Sequence, residues 1–158
     1  MRIGITGHRG LPVDTERSVT AAVREAVSAC PATGLVGVSC AADGPDTWFA
    51  RAVLEHGGSL EMVVPAANYR ASLPDWHHAV YDDLVHRASE VHETGLTDSD
   101  PHAYMFGSEV LVGMVDELLA VWDGRPARGH GGTADVVTYA RRTGVPVRVL
   151  WPAGATRD

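Results

Sequence analysis

The chain has 158 residues, 45% of them apolar, and a formal charge of −7, which is the length and composition of one globular domain with a core of its own. That charge, with 13 basic residues that are arginine and scattered along the chain, speaks against a nucleic-acid surface, because phosphate backbones are held by clustered cations. The start MRIGITGH carries no long apolar segment, no run of about 18 apolar residues follows, and Cys30 and Cys40 fit no disulfide framework or metal motif; the expectation is a cytoplasmic protein with no membrane span, metal or cofactor.

The first predicted strand is RIGIT, residues 2–6, and it breaks into TGHRG. A helix follows over DTERSVTAAVREAVSAC, with Asp14 as its cap and Val19, Ala22, Val23, Ala26 and Val27 on one face. GLVGVSC, residues 34–40, is the second strand. In ADGPDTWFARAVLEHGG the proline opens a helix and the glycine pair closes it. LEMVV, residues 60–64, is the third strand, residues 75–89 form a more exposed helix, and EVHETG reads as a short strand. The stretch 93–101, ETGLTDSDP, is a loop with the length and composition to close over a ligand. HAYMFGSEVLVGMV is a helix apolar almost all round and so expected to be buried. ELLAVW (117–122) and VPVRVLW (145–151) supply the last strands, on either side of the helix that begins in GGTADVVTYARR. Continuous apolar strands alternating with helices predict an α/β fold, a Rossmann-like, three-layer, doubly wound and mainly parallel sheet in a single domain.

In such sheets ligands bind beyond the carboxyl ends of the strands. The segment GHGGTAD sets Gly131, Gly132 and Thr133 at a helix start, where backbone N–H groups and the positive end of the helix dipole favour an anion. Asp123 stands at the end of ELLAVW, where it can take a ribose hydroxyl or polarise a water, and its Asp-Gly pair equally suits a turn. Glu109 lies in the apolar helix with His102 seven residues before it on the same face; a buried carboxyl there would have a raised pKa suited to acid–base work. Cys40, near a strand end, reads as a structural thiol. His77, His78, His86 and His92 show no metal-ligand spacing, and Trp76, Trp122 and Trp151 read as core or rim residues, Trp122 alone lying where it could touch a base.

Taken together, ITGHR, GPDTWFARAVLEHG and SEVLVGMVDELLAVWDG with GGTADVVTYARRTGVPV resemble the SLOG superfamily of Rossmann-like nucleotide-binding domains, closest to its YpsA-like branch. The superfamily also holds the Lonely Guy phosphoribohydrolases and the DNA-processing protein A domain. The resemblance, over residues 2 to about 151, implies a phosphate or ribose-phosphate lying over the first and last glycine loops. Gly7, His8 and Arg9 match the first loop, Gly44 and Asp46 the second, and Gly131, Gly132 and Thr133 the last; Arg9 is then the charge partner of the phosphate. The pattern departs at one place. Lonely Guy enzymes resemble a motif with a glutamate four residues after the glycine that precedes the threonine, and here that slot is Val136. Asp135 stands one residue earlier, turned away by about 100°. The implied function is therefore binding of a small nucleotide or a derivative, for sensing or regulation, by a homodimer. The alternative is a phosphoribohydrolase in which Glu109 or Asp123 supplies the carboxylate for cleavage of a nucleotide's N-glycosidic bond.

Overall fold

The computed structural model describes residues 1–157, and its strands β1 (Arg2–Gly7), β2 (Val36–Ser39), β3 (Ser59–Val64), β4 (Glu90–Glu93), β5 (Glu117–Val121) and β6 (Val147–Val149) form one sheet. The order is β4-β3-β2-β1-β5-β6 and every pairing is parallel. The helices are α1 (Val13–Ser28), α2 (Pro45–Glu55), α3 (Tyr69–Ser72), α4 (His78–Arg87), α5 (Pro101–Val112) and α6 (Thr133–Arg142), with a 3-10 turn at Asp75–His77. The chain steps outward from β1 to β4 and then crosses back to lay β5 on the other side of β1. The reversal makes the β1–β5 boundary the switch point, where loops diverge and leave a crevice.

Two layers of helices cover the sheet. On one face Ile3 and Ile5 pack with Val19, Val23 and Val27 of α1 and with Phe49 and Val53 of α2. The other face buries Val38, Val63 and Leu118 against Met105 and Leu111 of α5 and Val136 of α6. Strands buried on both faces explain why their sequences are apolar runs and not alternations. The two edge strands are the exceptions: Arg148 and Val149 of β6 and Glu90, Val91 and Glu93 of β4 are exposed, since each strand has a neighbour on one side only.

Several local expectations change. Asp14 does not cap α1; Pro12 holds the cap position, and Asp14 lies in the first turn, where its charge still complements the helix dipole. α2 starts as its sequence indicates, with Gly44 at the cap and Pro45 behind it. α5 is buried along one side only, since Phe106 is exposed and Glu109 half-buried. The loop after β4 is fastened to the loop after β3, Ala67 N–H donating to Leu96 O at 2.8 Å and Asn68 N–H to Thr97 O at 3.2 Å.

Candidate functional site

A cleft of about 340 Å³ opens at the carboxyl ends of the central strands. Thr6, Gly7, His8 and Arg9 form one wall, Cys40, Ala42 and Asp46 a second, Tyr104, Ser108 and Leu111 of α5 a third, and Gly131, Gly132, Thr133 and Val136 the fourth. The structure thus gathers seven of the predicted site residues, namely Gly7, His8, Arg9, Asp46, Gly131, Gly132 and Thr133, around one space.

The first wall depends on tight packing. A Cβ at Gly7 would fall 2.8 Å from Val121 Cβ and 2.9 Å from Pro45, so the glycine lets the start of α2 press against the end of β1. Arg9 then turns to Asp43, whose Oδ1 accepts from its Nε at 3.0 Å and also from Nη2. Arg9 is therefore tied to a buried carboxylate, which the expectation of a phosphate partner did not foresee. His8 is buried at the junction with β5: the Asp123 main-chain N–H donates to its Nε2 at 3.1 Å. Asp123 Oδ1 lies 3.2 Å from the same nitrogen, so Nε2 sits between a main-chain donor and a carboxylate. Burial first, then the charge of Arg157, lowers the His8 pKa and keeps the ring neutral. Its Nδ1 is buried without a partner among the described residues.

The second wall is strained. Ala41 has φ of 55°, a left-handed conformation that residues with a Cβ seldom adopt. It is held by Ser39 Oγ, which accepts from Ala41 N–H at 2.9 Å, and by His77, whose Nε2 lies 2.9 Å from Ala41 O and so must carry the proton. Thr47 Oγ1 donates to Ala42 O at 2.6 Å. This scaffold presents Ala42 N–H to Asp46 Oδ2 at 3.3 Å. One hydrogen bond does not offset the loss of water, and burial pushes the Asp46 carboxyl up to about 7. Burial likewise pushes the Cys40 thiol well above its ordinary value, so it stays protonated and carries no nucleophile.

The fourth wall is the amino end of α6. Gly131 has φ of 82°, and a Cβ there would meet Pro101 O at 2.9 Å, so only glycine fits. Asp135 reaches back, its Oδ2 accepting from Gly131 N–H at 3.0 Å, while Val136 lines the cleft. The angular argument from the sequence holds: the slot facing the cleft is apolar and the acid beside it fastens the loop. Asp135 and Val136 N–H donate to Gly132 O, leaving the N–H groups of Thr133 and Ala134 without an acceptor among the described residues.

Four sequence candidates lie elsewhere. Asp123 does not line the cleft; Arg125 N–H donates to its Oδ1 at 2.9 Å, closing a turn and, against the cost of burial, holding the carboxylate below its usual range. Glu109 stands on α5 outside the lining, and His102 is exposed. Gly44 lines an adjacent hollow with Trp48 and Arg51. Conversely, Asp43, Tyr69, Tyr104, Ser108 and Arg157 belong to the site or its support; the sequence places Asp43 at a helix start and Tyr104 and Ser108 in the apolar helix without giving them a role, and Tyr69 and Arg157 lie in no segment singled out. Tyr69 and Tyr104 meet edge to face with centroids 6.1 Å apart on the cleft's flank. Of the tryptophans, Trp122 turns its Nε1 to Arg125 O at 2.8 Å, and Trp151 packs edge-on against His8.

The histidines after Trp76 do not converge, since His77 holds Ala41 O and His78 lies 3.1 Å from Leu73 O. His92 meets Glu61 and Glu90 toward the amino ends of the strands, with ligand atoms within 4.8 Å of one another. Arg2 already binds both oxygens of Glu61, at 2.9 and 3.0 Å, so a guanidinium holds the place a cation would take.

No protein-family model matches this sequence, and no curated protein matches it. Solved structures do. DNA processing protein A from Streptococcus pneumoniae aligns with 94% of this chain at 17% identity and a TM-score of 0.66, and its counterpart from Helicobacter pylori, whose binding mode is for single-stranded DNA, with 94% at 16% identity and 0.67. The molybdenum cofactor carrier protein of Chlamydomonas reinhardtii matches over 94% of this chain and 74% of its own, at 17% identity and 0.55. This chain spans 49% of the first protein and 64% of the second.

The exclusion of a nucleic-acid partner is corrected by these findings, because a protein of the same fold binds single-stranded DNA. Net charge averages over a whole surface, whereas phosphates respond to local clusters. Arg157, distant in sequence, meets Arg125 and Arg128 around one pocket. No helix among the described residues is long and apolar enough to cross a membrane. The sheet, its switch point and these likenesses give the chain the SLOG-like Rossmannoid fold.

Proposed function

We propose that the cleft binds a nucleotide or a nucleotide-derived ligand by its phosphate, and that the protein acts as a sensor or regulator through this binding. One observation carries the reading: the Thr133 and Ala134 N–H groups at the start of a ten-residue helix have no acceptor among the described residues, and the glycine loop before them is already fixed by Asp135. The volume of about 340 Å³ suits one nucleoside phosphate, and the Tyr69–Tyr104 pair offers aromatic surface to a base. The nucleotide can be free or the end unit of a single strand, and the likeness to a protein that binds single-stranded DNA supports including both. The YpsA-like affinity rests on the three sequence segments alone. Titration of isotope-labelled protein with adenosine and guanosine 5′-monophosphates, and with a 5′-phosphorylated tetranucleotide, tests it. The Thr133 and Ala134 amide resonances are expected to move first and furthest; resonances elsewhere moving while these stay fixed would reject the site.

A second reading is favoured by Asp46. Among the described residues it is the one carboxyl group lining the cleft, and with a pKa of about 7 it can donate a proton to a departing base near neutral pH. Hydrolysis of an N-glycosidic bond would then rest on Asp46 and not on Glu109 or Asp123. Release of free base from a nucleoside 5′-monophosphate, lost in Asp46→Asn and kept in Glu109→Gln, is the result this reading expects.

A further inference from the structure

Beside the cleft lies a second pocket, of about 290 Å³, lined by Arg125, Arg128, Arg157, Asp123, Trp151 and Thr156. Its geometry is set by the tail after β6: Thr156 N–H donates to Thr15 Oγ1 at 2.9 Å, fixing the backbone next to Arg157. Asp123 is the one acid among the described residues that line it, and both its oxygens are already engaged. Oδ1 accepts from Arg125 N–H at 2.9 Å, and Oδ2 lies 4.0 Å from Arg157 Nη1. The guanidinium of Arg125 is exposed, and that of Arg157 retains 22% of its surface. In a chain of net charge −7 this is a local excess of positive charge. His8, buried between the two pockets, responds to it, for Arg157 and Arg128 both lower its pKa after burial has done so. Most telling is Arg157, which lines the cleft and the second pocket at once.

We infer that the arginine pocket receives a second phosphate group of the ligand whose first phosphate sits at the amino end of α6, with Arg157 spanning the two. This rests on the nucleotide reading of the cleft. Guanidinium groups suit the task, because they pair with phosphate oxygens in bidentate geometry and stay charged at every working pH. The second phosphate can come from the diphosphate chain of a free nucleotide or from the next phosphodiester of a single strand.

Calorimetric titration separates the two claims and the two sources. The probes are inorganic pyrophosphate, adenosine 5′-monophosphate, adenosine 5′-diphosphate and the 5′-phosphorylated dinucleotide of adenosine, added to the wild type, to Arg125→Gln and to the double variant Arg125→Gln/Arg157→Gln. Arg125 is exposed, so its single variant keeps the test valid should the double one fold poorly. The expected result is that the second phosphate tightens binding of at least one nucleotide probe tenfold or more, by an increment that shrinks with added salt. Arg125→Gln should lose much of that gain and the double variant all of it, with monophosphate affinity unchanged in Arg125→Gln. Whichever of the diphosphate and the dinucleotide gains more identifies the source. Pyrophosphate binding in the wild type, weakened at least tenfold in the double variant, supports the pocket without any base. Failure of the monophosphate to bind while pyrophosphate still binds at the arginines overturns the cleft reading and supports the pocket as a phosphate site. An increment that survives in the variants, or no increment and no pyrophosphate binding in the wild type, overturns the inference.

Discussion

The guanidinium of Arg9 holds the buried carboxylate of Asp43 through two of its nitrogens, Nε at 3.0 Å and Nη2, both on Oδ1. The pair joins the loop after β1 to the loop after β2 and so sets the width of the cleft. Arg9→Ala should therefore cost about 1–3 kcal/mol of stability, because Asp43 is left buried without a partner. In a double-mutant cycle with Asp43→Asn, urea unfolding should show the two losses to be less than additive. Additive losses would show that the two side chains act independently.

Asp46 makes stability depend on pH in an unusual direction for an acid. Its pKa rises from 3.8 in the unfolded chain to about 7 in the fold, so the folded state favours the protonated form. The contribution is fully present below pH 4 and is lost as pH climbs through 7, a change of up to about 4 kcal/mol. Asp46→Asn should flatten the pH dependence of unfolding between pH 4 and 8 and be more stable than the wild type at pH 8. An unchanged profile in that variant would mean that another group is responsible.

Glu61 shows the opposite sign. The hydrogen bond from Arg2, together with that of His92 and against the cost of burial, holds its pKa below the ordinary 4.5. Its stabilisation is present above pH 4.5 and disappears as pH falls through the lowered value. Glu61→Gln should cost about 1–3 kcal/mol at pH 7 and much less at pH 3, which acid titration of the two proteins followed by circular dichroism can compare.

Asp135 fastens the glycine loop before α6 without lining the cleft. Asp135→Ala removes the acceptor of Gly131 N–H and should cost about 1 kcal/mol of stability, the ordinary effect of losing a helix-start acceptor. A nucleotide should then bind several-fold more weakly, since the loop must be ordered on binding. Equal affinity in the two proteins would show that the loop is held by its glycines alone.

The fold could be read from the sequence because buried parallel strands are apolar runs, and even the short β4 is visible in EVHETG. The glycine loops could be read because Gly7 and Gly131 meet needs that no other residue satisfies. What escaped was side-chain commitment. The bond of Arg9 to Asp43 across the gap and the Arg125 N–H on the Asp123 carboxylate are pairings between side chains and loops that no pattern in the sequence announces. Arg157 lies beyond the last strand, in a tail with neither periodicity nor motif, and only the fold brings it to Arg125. The net charge misled for the same reason, since it counts charges without placing them.

The measurement that bears most directly on the account is a thermal-shift comparison of the wild type and Thr133→Pro against nucleoside mono-, di- and triphosphates and a 5′-phosphorylated tetranucleotide. Proline suits the first helical position, and Gly132, with φ of −70° and ψ of 172°, already has the extended backbone a residue before proline needs. The substitution thus removes one of the two N–H groups to which the proposal assigns the phosphate, while the helix can still form. A ligand at 100 times its Kd should stabilise the wild type by about 2.7 kcal/mol, a rise of roughly 5–10 °C in Tm. The account predicts such a rise for at least one nucleotide, strongly reduced in Thr133→Pro. No rise with any of them, or the same rise in a folded Thr133→Pro, would contradict it.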